Sequence, residues 1–329
     1  MTTANTQTQA VRSTGTVSVS GILPRVSGNL PVRMWSAPSE YTPAINPAHV
    51  FPDWVSRYVA PWLSIMPSTP LFVTGPTGCG KTSSIKQLFA RLNWSVFECT
   101  GHSRLEFSDL VGHLTVKDGN MQFEYGPLAL AMKFGGAFII NEMDLLDPST
   151  SAGLNSILDG SPLIIPENGG EIIVPDYTPK SKRPFAFIAT ANSNGTGDAT
   201  GMYTGVLMQN GALMDRFTIV EADYLPAEVE KSVILKAVPA IGDETASLMV
   251  AVAGGIRTAC ASAGMQGGMN KTMSTRTLVR WAQWAAYFTS AGFMQDTTPL
   301  MESFGISFLA SCDSTDKVTA QEIYQRIVG

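Results

Sequence analysis

The sequence predicts an α/β fold: a five-stranded parallel sheet, two inserted β-hairpins and a C-terminal helical domain. Short apolar runs at 70–74, 95–99, 137–141, 185–190 and 217–221 alternate with helix-patterned segments at 81–92, 127–134 and 149–159. Short buried strands with intervening helices indicate a parallel sheet covered on both faces. Two further strand pairs, each built around a turn signal, interrupt this alternation. Beyond Pro226 strand patterns stop, and helical ones occupy 227–238, 243–262, 275–290 and 318–328.

Taken in chain order, residues 1–40 are rich in Ser, Thr, Gly and Pro without a sustained period, which predicts a flexible arm. Val17, Val19, Ile22 and Leu23 leave open a strand added to a neighbouring subunit. Residues 41–222 read as the α/β domain and 223–329 as the helical one. Between Phe51 and Trp62, the aromatics Trp54, Tyr58 and Trp62 suit a short helix packed on the core. The first hairpin runs Leu114-Thr115-Val116, turns through Lys117-Asp118-Gly119-Asn120, and returns as Met121-Gln122-Phe123. The second runs Leu163-Ile164-Ile165, turns through Glu167-Asn168-Gly169-Gly170, and returns as Ile172-Ile173-Val174. In the helical part, Trp281, Trp284 and Phe288 fall at i, i+3 and i+7, the spacing of a core-facing stripe.

Composition narrows the function classes. Hydrophobic residues make up 44% of the chain and charged ones 15%, ample for buried cores. The net charge of −5 argues against a general duplex-binding surface, which needs clustered Lys and Arg to displace counterions. No run approaches the ~18 apolar residues of a membrane span, and Met1-Thr2-Thr3-Ala4-Asn5 lacks a charged-then-apolar export signal. Cys79, Cys99, Cys260 and Cys312 are scattered, as are the histidines, and give no zinc spacing. A reduced, cytoplasmic, membrane-free protein is the expectation.

The most informative stretch is Gly75-Pro76-Thr77-Gly78-Cys79-Gly80-Lys81-Thr82, with Ser83 following. It succeeds the apolar run Leu71-Phe72-Val73 and opens a helix-patterned segment. Glycines let the backbone curl so that its N–H groups point at phosphate oxygens, and the helix N-terminus adds partial positive charge. Lys81 is placed to reach the β- and γ-phosphates, and the Thr82 hydroxyl to ligate Mg²⁺. ATP with Mg²⁺ is therefore the expected cofactor pair.

Hydrolysis needs more than a phosphate loop. Ala137-Phe138-Ile139-Ile140 ends in Asn141-Glu142, and ligands bind at that edge of a parallel sheet. Glu142 is the candidate to polarise an attacking water. Asn141 stands where an Asp normally holds the Mg²⁺ shell; its carbonyl lacks the charge, which predicts weaker attraction for Mg²⁺ but not loss of nucleotide binding. The next strand runs into Thr190-Ala191-Asn192, whose carboxamide is suited to orient the water or contact the γ-phosphate. Asp215-Arg216-Phe217 precedes the fifth strand, where an Arg can project into a neighbour's nucleotide site. Ser274-Thr275-Arg276 opens the 275–290 helix, placing Arg276 to touch the γ-phosphate within its own chain while Ser274 caps the helix.

These features in this order resemble the AAA+ ATPases, a P-loop fold with a helical lid. The two hairpins resemble the helix-2 insert and the pre-sensor-1 hairpin of the MoxR-type branch. Thr190 through Gly205, Met214-Asp215-Arg216, Leu92-Asn93-Trp94, Asp109-Leu110-Val111-Gly112, Val116-Lys117-Asp118-Gly119 and Tyr224-Leu225-Pro226 together resemble the ATPase subunits of aerobic cobaltochelatases. The resemblance covers about 41–290, and Asn141 is its main departure. It implies a homo-oligomeric ring, a hexamer, that hydrolyses ATP at subunit interfaces and works with a von Willebrand A-domain protein on a client such as a metal chelatase. In that pattern Lys81 and Thr82 bind phosphate and Mg²⁺ and Glu142 is the catalytic base. Asn192 would be the first sensor, Arg216 the finger acting in trans, Arg276 the second sensor, and 114–124 a pore-side hairpin. A nucleotide-gated scaffold with slow hydrolysis is the alternative. A nucleic-acid translocase is disfavoured, because the first hairpin carries Lys117 beside Asp118 and no basic cluster.

Overall fold

A computed structural model describes residues 12–23, 25–65, 68–177, 182–195, 197, 205–261, 268–292 and 298–329. The chain opens with β1 (Thr14–Ser18) paired antiparallel to β2 (Pro31–Trp35), with Thr14 opposite Trp35. This corrects the expectation of a flexible arm over 1–40 for the described part of it; residues 1–11 and 24 lie outside the described residues. Val19, Leu23, Val32 and Trp35 are buried in the same core cluster as Leu92 and Trp94. One backbone bond and one from an indole lock the hairpin there: Trp35 N–H donates to Leu92 O (3.0 Å) and Trp94 Nε1 donates to Arg33 O (2.8 Å). The Arg12 guanidinium lies 4.4 Å from the Trp35 ring centroid and donates to Ser95 Oγ at 2.7 Å. Apolar residues too sparse to show a period thus become ordered by partners some sixty positions away. A π-helical turn, Val55–Val59, leads into α1 (Ala60–Ile65); Trp54 and Trp62 are buried as expected, whereas Tyr58 faces out.

Next come β3 (Leu71–Thr74), α2 (Lys81–Arg91), β4 (Val96–Thr100) and α3 (Phe107–Val111). They are followed by β5 (Gly112–Lys117), β6 (Asn120–Tyr125), α4 (Pro127–Phe134), β7 (Gly136–Asn141) and α5 (Pro148–Leu158). The domain closes with β8 (Leu163–Ile165), β9 (Glu171–Ile173), β10 (Phe185–Ala191), α6 (Gly211–Met214) and β11 (Thr218–Glu221). The central sheet has the order β11-β3-β10-β7-β4, with every neighbouring pair parallel. Strand residues alternate between two cores: Leu71, Val73, Ile139 and Ile188 pack with α2, while Phe72, Phe138 and Phe187 pack with α4 and α5. Burial on both faces explains why these strands read as continuous apolar runs. Thr74 pairs with Ala191 and Thr100 with Asn141, so the C-terminal strand ends meet at one edge.

Both inserted hairpins form where turn chemistry predicts them. Asp118 and Gly119 take φ of 51° and 77°, the two left-handed positions a two-residue hairpin turn requires. Val116 and Met121 on the first hairpin, and Ile164 and Ile172 on the second, are cross-strand partners left exposed. The unexpected α3 owes its start to a reciprocal capping box between Glu106 and Asp109.

The helical part comprises α7 (Ala227–Ala237), α8 (Asp243–Ala261), α9 (Thr275–Ala291), α10 (Pro299–Ser307) and α11 (Ser314–Val328). Its own core runs from Ile234 to Tyr324. Helix α10 escapes a pattern search because Pro299 begins it and Gly305 interrupts it; Thr298 caps it by accepting from Met301 N–H. Trp281 and Phe288 are buried as the stripe predicts, but Trp284 is 41% exposed, a correction to its core assignment. Among the described residues no helix is long and apolar enough to cross a membrane.

Candidate nucleotide site

Strand β3 hands over to α2 through Gly75–Gly80, and two glycines there are required sterically. A Cβ at Gly75 (φ 146°) would meet Ala222 O at 2.0 Å, and one at Gly78 (φ 69°) would meet Ser274 Cβ at 2.4 Å. Thr77, Gly78, Gly80, Lys81, Thr82 and Ser83 line a cleft of about 320 Å³ at the sheet edge. Gly75 and Pro76 contribute carbonyls: Lys81 Nζ donates to Gly75 O (2.6 Å), Pro76 O (3.0 Å) and Asn192 Oδ1 (3.1 Å). Cys79 is buried, and burial pushes its thiol above the ordinary range, so it is packing rather than a nucleophile. Burial pulls the Lys81 ammonium below its usual value, opposed by the nearby Asp144 and Glu142 carboxylates. A buried cation of this kind, aimed along a helix N-terminus, is suited to a polyanion.

Across the cleft stand Asn141 and Glu142. Thr82 Oγ1 donates to Asn141 Oδ1 at 2.6 Å, and Thr190 Oγ1 donates to the same oxygen at 3.2 Å. Asn141 Nδ2 faces the Cys99 carbonyl (3.4 Å) and Glu98 (3.5 Å), which fixes the carboxamide with its oxygen toward Thr82. A hydroxyl and a carbonyl oxygen side by side fit a hard divalent cation such as Mg²⁺, which takes oxygen ligands and keeps several waters. They bring no formal charge.

Glu142 is exposed into the cleft and adopts φ 54°, rare for a non-glycine and costing roughly 1–2 kcal/mol. The turn Met143–Leu145 follows at once, and Glu142 stands at its N-cap without using its side chain to cap it. Asn192 follows β10, with its carboxamide on Lys81. Arg276, second residue of α9, lines the cleft from the helical side, and Ser274 caps the helix by accepting from Thr277 N–H at 3.1 Å.

Arg216 does not join this group. It leaves α6 toward β11 and forms a two-point ion pair with Asp159 (Nε–Oδ1 2.7 Å, Nη2–Oδ2 2.9 Å), with Nη1 donating to Ala212 O. Asp159 and Thr100 are partner or site residues that the sequence reading did not single out. The most consequential such residue is Asp144, fully buried. Its Oδ2 accepts from Asn192 N–H, Ser193 N–H (both 3.0 Å) and Ser193 Oγ (3.1 Å), pinning the turn that presents Asn192. A charge flanked by Met143 and Leu145-Leu146 is the signal that could have found it. A second cavity of about 490 Å³ adjoins the cleft, sharing Gly78, Gly80, Ser83 and Arg276. His49 lines it with an imidazole pushed down to about 4, chiefly by burial, and no local pattern announces that wall. Within the resembling stretch 190–205, residues 196 and 198–204 lie outside the described residues.

A strand, a glycine loop around a buried lysine, a helix start and a strand-end carboxylate define a P-loop nucleoside triphosphatase. Family models agree: an AAA domain (dynein-related subfamily) matches residues 70–207, and a CbbQ/NirQ/NorQ C-terminal domain matches 230–296. The aerobic cobaltochelatase subunit CobS of Sinorhizobium sp. is 30% identical over 313 residues, covering 92% of this chain and 88% of that one. The chain belongs to the AAA+ ATPases of the MoxR/CobS-like type, and is an ATPase. The uncharacterized protein SH1500 of Staphylococcus haemolyticus is 30% identical over 169 residues, covering 50% of this chain and 59% of that one. Among solved structures, the Thermotoga maritima RuvB Holliday junction branch migration motor aligns with a TM-score of 0.44 at 14% identity, covering 72% of this chain and 61% of that one.

Proposed function

We propose that this ATPase works as a homo-oligomeric ring, a hexamer by family likeness, whose nucleotide sites are completed by an adjacent protomer. Residues 41–222 serve as the nucleotide-binding domain and 223–329 as the lid. Lys81 binds the β- and γ-phosphates, and Thr82 with Asn141 holds Mg²⁺, directly or through water. Held by Thr82 and Asn141, Mg²⁺ would supply positive charge against the charge that develops on the phosphates. Glu142 takes the proton of the attacking water, Asn192 orients that water, and Arg276 contacts the γ-phosphate from the lid. Arg216 acts in trans.

The observation that carries this reading is the position of Arg216: outside its own cleft, on an exposed pair with Asp159. Solvent screens an exposed pair of this kind, so the guanidinium can be exchanged onto a neighbour's phosphate. The expected result is that Arg216→Ala binds ATP with wild-type affinity but hydrolyses it at least ~10³-fold more slowly. Mixing it with Lys81→Ala subunits restores part of the activity, since one variant has sound pockets and the other sound fingers. No rescue at any mixing ratio contradicts the trans role.

The client side rests on the family. CobS is a subunit of a cobaltochelatase, and a von Willebrand A-domain partner acting on a chelatase-like complex in the cytoplasm is the corresponding proposal here. The exposed Val116, Met121, Ile164 and Ile172 on the two hairpins supply apolar surface for such contacts. Co-purification from cells tests it: a von Willebrand A-domain protein should come down with this chain, and its absence in every nucleotide state counts against it.

One observation favours a second reading, a ring assembled by ATP and slow to hydrolyse it. Asn141 brings no charge to the metal shell. In either case Asn141→Asp should reach half-maximal hydrolysis at a Mg²⁺ concentration several-fold lower than wild type. Identical Mg²⁺ saturation of the two proteins would remove Asn141 from the metal shell.

A further inference from the structure

The helical domain touches the phosphate loop through a connected set of polar groups that the reading of the cleft leaves unused. Tyr224, in the connection from β11 to α7, donates its hydroxyl to the carbonyl of Thr77 at 3.0 Å. The guanidinium of Arg257, from α8, lies over the Tyr224 ring with its carbon 3.9 Å from the centroid. That same guanidinium forks onto Glu230 of α7 (Nη1–Oε2 2.7 Å, Nη2–Oε1 2.8 Å), while its Nε donates to Met273 O at 2.8 Å. Glu230 is fully buried and also accepts from Thr275 Oγ1 at 2.5 Å. Met273 and Thr275 flank Ser274, whose side chain fills the space in front of Gly78, and they immediately precede Arg276.

Arg257 and Glu230 therefore grip Met273 and Thr275, on either side of Ser274 and just before Arg276, and through Tyr224 they reach the carbonyl of a phosphate-loop residue. A buried ion pair is a poor general stabiliser, since well-packed apolar residues of similar volume do as well or better. Its geometry is better suited to fixing an orientation, as a bidentate fork imposes both distance and plane. We propose that Arg257 and Glu230 are positioning residues that set Arg276 in the cleft and tie the lid to the phosphate loop through Tyr224. The ATPase thereby distinguishes a bound triphosphate from a diphosphate. The proposal rests on the reading that Arg276 meets the γ-phosphate.

The test uses the full chain, with affinities for adenylyl imidodiphosphate and ADP measured by displacement of a fluorescent nucleotide. Arg257→Lys keeps the charge and loses the fork. Thr275→Val and Tyr224→Phe each delete one hydroxyl, and they serve if Arg257→Lys does not fold. Each variant is expected to lower the triphosphate-to-diphosphate affinity ratio, by about tenfold for Arg257→Lys, with ADP affinity changed less than about twofold. In an Arg276→Ala background, which itself lowers the ratio, the same substitutions should have no further effect on it. If Arg276→Ala lowers the ratio but the other variants leave it unchanged, or add their full effect to it, the clamp is overturned and the reading of Arg276 stands. A ratio unchanged by Arg276→Ala overturns both. A drop in melting temperature with the ratio intact identifies Arg257 and Glu230 as structural only and overturns the proposal.

Discussion

Lys81→Ala should lose ATP binding by at least ~10²-fold and show no measurable hydrolysis. The ammonium is the buried cation at the loop, and charge-assisted hydrogen bonds of the kind it offers phosphate contribute about 1.5–3 kcal/mol each. Its hydrogen bonds to Gly75 O, Pro76 O and Asn192 Oδ1 place it where the loop curls, with no other lysine lining the cleft among the described residues. The fold should survive. Burial holds the Lys81 pKa below its ordinary value, so burying the charged form costs stability that alanine removes. Thermal denaturation checks both halves. Wild type should gain roughly 3 kcal/mol at a hundredfold excess of ATP over its dissociation constant, and Lys81→Ala should gain nothing while melting no lower in buffer alone. A normal ATP-induced shift in Lys81→Ala would displace this lysine from the phosphate site.

Glu142→Gln should separate binding from chemistry in the opposite sense. Its carboxylate is exposed into the cleft and unused by the turn it begins, so the amide can replace it without disturbing packing. Removing a general base lowers turnover by about 10²–10⁴-fold. Nucleotide affinity should stay within a few-fold of wild type, because Lys81, Thr82 and the loop backbone are untouched. Single-turnover hydrolysis beside equilibrium binding measures both. Wild-type turnover in Glu142→Gln would transfer the role of base to another residue, whereas loss of binding would make Glu142 a ligand-holding group.

What the sequence revealed was what is local. The loop from Gly75 to Thr82 is a contiguous motif, and the central strands β3, β7 and β10 are apolar runs because both of their faces are buried, so each is legible without its neighbours. The turn at Asp118-Gly119 fixes the first hairpin by backbone chemistry alone. The pairs Thr82–Asn141 and Lys81–Asn192 follow once strands of a parallel sheet must end at one edge. What stayed hidden depends on distant partners. The N-terminal hairpin is ordered by Leu92, Trp94 and Ser95, and its own five-residue strands carry too few apolar positions to declare themselves. Asp144 looks like an ordinary charge near a turn until β10 supplies the N–H groups of Asn192 and Ser193. The Arg257–Glu230 fork joins residues 27 apart whose individual charges are unremarkable on their helices. Trp284 errs the other way: at core spacing in α9, it lies on a face that nothing among the described residues covers fully.

Sharing of each active site between two protomers is tested most directly by following turnover per protomer against protein concentration, with sedimentation velocity on the same samples in ATP. Turnover should rise in step with the oligomeric fraction and fall toward zero where only monomer sediments. A monomer that hydrolyses ATP at the full rate, without associating in any nucleotide state, would contradict it.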